Sequence, residues 1–286
     1  MSTTPPVSTL SIAFMFLSML IAFGLPIGLA IWAKGKYKTK FSFLPLIGGV
    51  LGFVISQEIF RIPIIQGLLP TFDWYQKFMQ MRWPYLIFLS FTAGLVEEPA
   101  RFIVFSILKK HRSFPDGLSY GIGHGGIEAI LLVGFTYINN IVFAFAINSG
   151  GSNPLLSSLP SSVVSSFTST PSYLFAVAGI ERIFAITLQI ALSLLVLKGF
   201  QVNRKGLYLL LAFLIHGLVN LAAVAAVSVG QQTGAAEPQI VSVLLSEGLL
   251  LVVAILSLIF IVKQARDWSR GQTIPPTADL PQTPAE

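Results

Sequence analysis

Glu97, Glu98 and Arg101 lie in LVEEPARFIVF, His124 and Glu128 in GIGHGGIEAI, and His216 and Asn220 in LIHGLVN. All three segments otherwise read as hydrocarbon, where an isolated charge or an unpaired polar group is expensive. Side chains kept in such places must pair with one another, with water or with a metal, so they form the default functional site. Carboxylates and neutral imidazoles are zinc ligands, and a catalytic zinc takes three protein ligands and leaves one position open. Water activated there becomes a nucleophile, with a free Glu as general base. Without metal, Glu97 or Glu98 activates water directly, while His216 and Asn220 stabilise the oxyanion of a peptide carbonyl. The residues alone leave both routes open, since His-x-x-x-Glu is a weak metal motif.

Helical spacing gives these residues local partners. Arg101 stands four residues after Glu97 and three after Glu98, so it can pair with either carboxylate. Two adjacent acids cannot both ionise cheaply in a low dielectric; one is expected to be neutralised by Arg101, leaving the other for chemistry. His124 and Glu128 share one helix face, as do His216 and Asn220. At about 1.5 Å per residue, Glu128 and His216 lie about 15 Å from the cytoplasmic ends of their stretches, with Glu97 and Glu98 about 16–18 Å in. His124 lies shallower, at about 9–10 Å. Acid and imidazole groups thus meet near one layer.

The elements that must position them are membrane helices. The chain has 286 residues, 54% hydrophobic and 10% charged, against about 25% charge in a soluble domain. Seven apolar stretches, near 9–33, 41–60, 84–108, 117–147, 172–197, 206–230 and 239–262, each approach the length that spans a bilayer. The expected fold is therefore all-α, a polytopic bundle of about seven transmembrane helices forming a single domain over 1–268. Basic residues follow the odd-numbered stretches: Lys34, Lys36, Lys38 and Lys40; Lys109, Lys110 and Arg112; Lys198, Arg204 and Lys205; Lys263, Arg266 and Arg270. The positive-inside rule then puts the N-terminus outside and the C-terminus in the cytoplasm. The net charge of +6 is a topology signal, not a nucleic-acid footprint. No cleavable signal peptide is evident. With no cysteine, disulfides, thiolate chemistry and Cys-type zinc sites are excluded.

Between the stretches, 148–171 is rich in Ser, Pro and Gly and reads as a mobile external loop, while 71–83 carries Trp74, Tyr75 and Trp83 suited to an interfacial belt. Residues 269–286 read as a disordered cytoplasmic tail. Glu58 and Arg61 are expected to pair locally, His111 to be solvated, and Glu247 to make at most an interhelical hydrogen bond. Glu181–Arg182 reads equally as a structural clamp, and Gly121-x-x-x-Gly125 as a close-packing device.

The ordered set Glu97-Glu98-x-x-Arg101, Tyr120-Gly121-x-Gly123-His124-Gly125-Gly126-Ile127-Glu128, Glu181-Arg182-x-x-Ala185 and His216-x-x-x-Asn220 resembles the YhfC family of intramembrane metalloproteases. More remotely it is similar to the PrsW and CAAX-processing membrane proteases. The resemblance covers about 56–220 and implies a multi-pass protein of the prokaryotic plasma membrane, a glutamate- or zinc-type endopeptidase acting on a polypeptide in or near the bilayer. It implies Glu97 and Glu98 as activating carboxylates, Glu128 and His216 as site or metal residues and Asn220 as oxyanion partner, with His124 the candidate to complete the zinc ligands. Arg101, Glu181, Arg182 and Gln189 would support them. The family pattern leads one to expect a His about where Gln189 stands, and Gln is a poor zinc ligand that cannot act as a base. An ion-coupled transporter and a non-catalytic scaffold of protease-like fold are the alternatives, because buried acids and imidazoles also build proton relays.

Overall fold

The computed structural model describes residues 5–150, 153–232 and 237–271, and no strand occurs among them. Helix α1 spans Thr9–Tyr37 and is started by Ser8, whose hydroxyl accepts the Ser11 backbone N–H at 3.0 Å. Helix α2, Phe43–Phe53, is capped in the same way by Ser42 and does not stop there. It continues through wide π-helical turns at Val54–Arg61 and Pro63–Leu68, so the apolar helix runs Phe43–Thr71. The expected end near residue 60 is thus corrected: Pro63 sits inside a wide turn, where its missing N–H is tolerated.

A short helix α3, Asp73–Met79, precedes α4, Arg82–Ile107, which passes through Pro99 without ending. Helix α5, Phe114–Ala129, opens on a capping box in which the Asp116 carboxylate accepts the Ser113 backbone N–H at 3.0 Å. His111 also reaches Asp116, at 3.2 Å, so it is tied to this cap where free solvation was expected. A wide turn, Ile130–Gly134, joins α5 to α6, Phe135–Asn148. The segment read as a loop carries two short helices, α7 (Pro154–Ser158) and α8 (Ser161–Ser169). Three long helices follow: α9 (Ser172–Gln201), α10 (Lys205–Gly230) and α11 (Pro238–Ser269). Most of the expected tail, 272–286, lies outside the described residues.

Six helical segments among the described residues are long and apolar enough to cross a membrane: Thr9–Lys40, Phe43–Thr71, Phe114–Asn148, and all of α9, α10 and α11. The protein is a multi-pass integral membrane protein. The remaining expected span falls on α4, whose 26 residues extend about 39 Å. Its length suffices; Glu97, Glu98 and Arg101 in its middle set it apart.

The helices alternate in direction. At one end, Val7 and Asn148 exchange hydrogen bonds of 2.7 and 2.9 Å, and Ser11 meets Ser172 at 2.9 Å. At the other, Trp268 packs on Tyr37 with ring centroids 5.6 Å apart, and Gln201 donates to the Arg112 carbonyl at 2.9 Å. All the basic residues that follow the odd-numbered stretches gather near this second end, hereafter the basic end.

Glycines let the backbones approach in the basic half. A Cβ at Gly49 of α2 would stand 2.2 Å from the Tyr120 carbonyl oxygen of α5, and one at Gly123 2.1 Å from that of Leu46. On the other side of α5, a Cβ at Gly121 would meet the Ile190 Cα at 2.5 Å, and one at Gly125 the Ile186 Cα at 3.1 Å. Lipid supplies no hydrophobic drive between helices, so such close contact and interhelical hydrogen bonds hold the bundle.

Candidate active site

Helix α4 carries two carboxylates with different neighbours. Glu98 is held by Arg101 from its own helix, with Nε 3.0 Å from Oε2 and Nη2 3.3 Å from Oε1. Arg101 is anchored in turn by α9: it donates to the Gln189 carbonyl at 2.9 Å, to Gln189 Oε1 at 2.6 Å, and to the Ser193 hydroxyl. Its guanidinium also lies over the Tyr120 ring, 5.5 Å from the centroid. Glu98 and Arg101 have 0% exposure, and their pairing satisfies a charge that would otherwise be stranded. This settles the choice that spacing left open, since Arg101 neutralises Glu98 and not Glu97.

Glu97 faces the other way. Its Oε1 accepts from Gln57 Nε2 of the wide-turned part of α2. Its Oε2 stands 2.9 Å from His124 Nε2, 3.2 Å from Gln189 Nε2 and 3.8 Å from His216 Nε2. His216 Nδ1 lies 2.9 Å from Glu98 Oε1. A carboxylate paired with Arg is acceptor-only, so His216 must donate from Nδ1; in the neutral ring the lone pair is then on Nε2, which faces Glu97. His124 is fixed differently, between the Phe53 edge at 5.5 Å and the Tyr120 face at 5.9 Å. Its Nδ1 is buried with no hydrogen-bond partner, and its Nε2 donates to the Glu97 carboxylate.

Gln189, which sequence reasoning marked as a gap, joins the two halves of the network. Its carbonyl accepts from Arg101, and its amide donates to Glu97 and, at 3.0 Å, to Glu128. Glu128 is also paired with Arg182 Nη1 at 3.1 Å, and Arg182 reaches Glu181 through Nη2. Glu181 and Arg182 thus act together with Glu128, more than the isolated clamp expected. Asn220 sits one turn beyond His216 on the same cavity wall.

The cavity has a volume of about 400 Å³ and brings Glu97, Glu128, Gln189, His216 and Asn220 to one surface. Wide turns border it on two sides, in α2 around Gln57 and just after Glu128; such turns let side chains leave the regular helical register. A second cleft of about 340 Å³, apolar and set between α9, α10 and α11, shares Leu188, Val219 and Val253 with it.

Among the described residues, no three His, Cys, Asp or Glu side chains form a ready-made metal cage. The expected ligand Glu128 is engaged by Arg182 and Gln189 instead of standing beside the imidazoles. The donor chemistry nonetheless fits zinc with Glu97 in that place. Two imidazole nitrogens face Glu97 Oε2 at 2.9 and 3.8 Å, bracketing the roughly 3.3 Å that separates donors around a tetrahedral zinc. Behind His216, the Glu98 carboxylate is the kind of partner that orients metal-binding imidazoles.

Sequence reasoning missed Gln57 and Ser193. Gln57 stands four residues before Arg61, which donates to it at 3.1 Å, and that spacing was readable. Arg61 also donates to Thr92 at 3.2 Å and to the Leu89 carbonyl at 2.7 Å, so the expected Glu58 pair gives way to contacts across to α4. Among the described residues, Glu247 accepts only from its neighbour Ser246, at 3.4 Å, and makes no interhelical hydrogen bond.

A family model described as YhfC intramembrane metalloprotease matches residues 20–245. The chain is 39% identical over 226 residues to the uncharacterized membrane protein YhfC of Bacillus subtilis (strain 168), covering 76% of this chain and 86% of that one. No solved structure matches it.

Proposed function

The chain belongs to the YhfC intramembrane metalloprotease family, and on that premise we propose that it hydrolyses a polypeptide within the bilayer at a centre made by Glu97, His124 and His216. The observation that supports this reading most is the convergence of both imidazole Nε2 atoms on Glu97 Oε2, beside a polar cavity. A purely structural ion pair would not need two imidazoles beside a carboxylate that lacks its own arginine.

Each residue then has a task. Glu98 takes the Nδ1 proton of His216 as a hydrogen bond and keeps the Nε2 lone pair directed at the cavity. Arg101 compensates Glu98, so that anchor carries no unpaired buried charge. Gln189 holds Glu97 and Glu128 in register through its two amide hydrogens. Asn220 offers its amide to the peptide carbonyl oxygen as negative charge builds there. Zinc, when held by Glu97, His124 and His216, would supply Lewis-acid polarisation of that carbonyl and of water near neutral pH. In the metal-free route Glu97 takes the proton from the attacking water and returns it to the departing amine.

Two measurements on purified protein test this. Elemental analysis is expected to find about one zinc per chain, with most of it lost in His124→Ala, His216→Ala and Glu97→Gln. Hydrolysis of dye-quenched casein in detergent should fall about 10²–10⁴-fold in Glu97→Gln. Unchanged cleavage in that variant ends the peptidase reading. Unchanged zinc in all three ends the metal assignment and leaves the carboxylate route.

A further inference from the structure

We propose that the polar cavity is a water-filled vestibule opening on the extracytoplasmic face, and that the cleaved polypeptide reaches Glu97 from that side. For its substrate the proposal rests on the peptidase reading; for the route of access it does not.

The direction follows from which residues line the cavity. From Glu97 the wall runs along α4 to Ala93, nearer the start of that helix. It takes in Arg61, Ile62 and Gln66 from the last turns of the second helix, and Glu181 and Ala185 from the first half of α9. From α10 it takes Asn220 and Ala223, both beyond His216 toward that helix's end at Gly230. Because the helices alternate, every one of these positions lies between the level of Glu97 and the end opposite the basic one.

Toward the basic end the same centre is closed. Arg101, Tyr120 and His124 have 0% exposure, and Phe105 beneath them likewise. There α5 is locked against α2 and α9 by the glycine contacts that leave no room even for a Cβ. The cleft that does extend that way between α9, α10 and α11 is walled by Leu192, Leu195, Ile215, Leu256 and Phe260, with Ser257 as its one polar side chain, too few partners to hold a column of water. The open half is polar on several helices, with Gln57, Arg61, Gln66, Glu181 and Arg182 around its wall. Polar surface at membrane depth is tolerated where it is buried in protein or lines a water-filled cavity, and these side chains border an open space of about 400 Å³. The distribution of lysine and arginine puts the basic end in the cytoplasm, so the open half faces outside. A polypeptide approaching from the cytoplasm would have to pass the sealed half.

The chain has no cysteine, so single-cysteine variants report one thiol each. Gln66→Cys, Ala223→Cys and Ala185→Cys sample the cavity from rim to floor; Gln76→Cys and Lys109→Cys mark the two surfaces. Each is expressed in cells and treated with a membrane-impermeant sulfonated maleimide, in intact cells and in inside-out vesicles. Variants are carried forward only if they elute as the parent does in gel filtration. The three cavity thiols are expected to react in intact cells together with Gln76→Cys, and to be spared in inside-out vesicles, where Lys109→Cys reacts. Reaction of Ala223→Cys and Ala185→Cys from the cytoplasmic side overturns the proposal, and so does a failure of both to react from either side. Labelling requires no turnover, so a labelled but inactive protein counts against the peptidase reading alone.

Discussion

The Glu98 carboxylate is saturated by Arg101 and His216, while Glu97 is surrounded by amides and imidazoles that can let go of it. Sequence spacing allowed Arg101 to reach either acid; α9 decides, because Gln189 and Ser193 pull the guanidinium to the Glu98 side. If Glu98 orients His216 for zinc, Glu98→Gln weakens zinc binding about 10–100-fold without abolishing it, as measured by competition with a chelator. Arg101→Ala acts on folding instead. It leaves Glu98 as an uncompensated buried charge, an effect of about 3–5 kcal/mol, and the yield of monodisperse protein should collapse. The charged site residues were legible from sequence because charge inside apolar stretches stands out. Gln57 and Ser193 were not, since a neutral polar side chain in a helix has many innocent explanations. The partners of Glu128 were hidden for a similar reason: its helix face was readable, but Arg182 and Gln189 come from α9.

At the level of helices, the glycines of α5 matter more than its polar residues for how the bundle closes. Gly123→Ala drives a methyl into the Leu46 carbonyl region and should destabilise by about 1–3 kcal/mol. Gly24→Ala, mid-helix and meeting no atom within 4 Å, should be neutral to stabilising, by up to about 1 kcal/mol. The fraction of protein surviving a heat step in detergent, read by gel filtration, distinguishes the two. Apolar stretches located the long helices well, because hydrocarbon length is a strong constraint. Their ends were less legible: Pro63 looked like a stop, and only the tertiary setting makes the wide turns that carry the second helix on to Thr71. The Ser- and Pro-rich segment likewise holds two short helices that its composition did not announce.

For the whole molecule, the charge asymmetry between the two ends predicts a cytoplasmic C-terminus. A fluorescent protein fused there should be bright, and alkaline phosphatase fused there should be inactive; the reverse pattern would invert the topology and, with it, the side on which the vestibule opens. The unequal packing of the two halves also has an electrical consequence. Water filling the proposed vestibule would carry the potential of the outer solution down to the level of Glu97, and the membrane voltage would then drop mainly across the glycine-locked half. A charge moved through that thin seal works against about 2.3 kcal/mol per 100 mV, while one moved along the vestibule meets almost no field. On the proposed topology Glu97 would therefore take its pH and its ions from the outer solution, although it lies in the middle of the membrane.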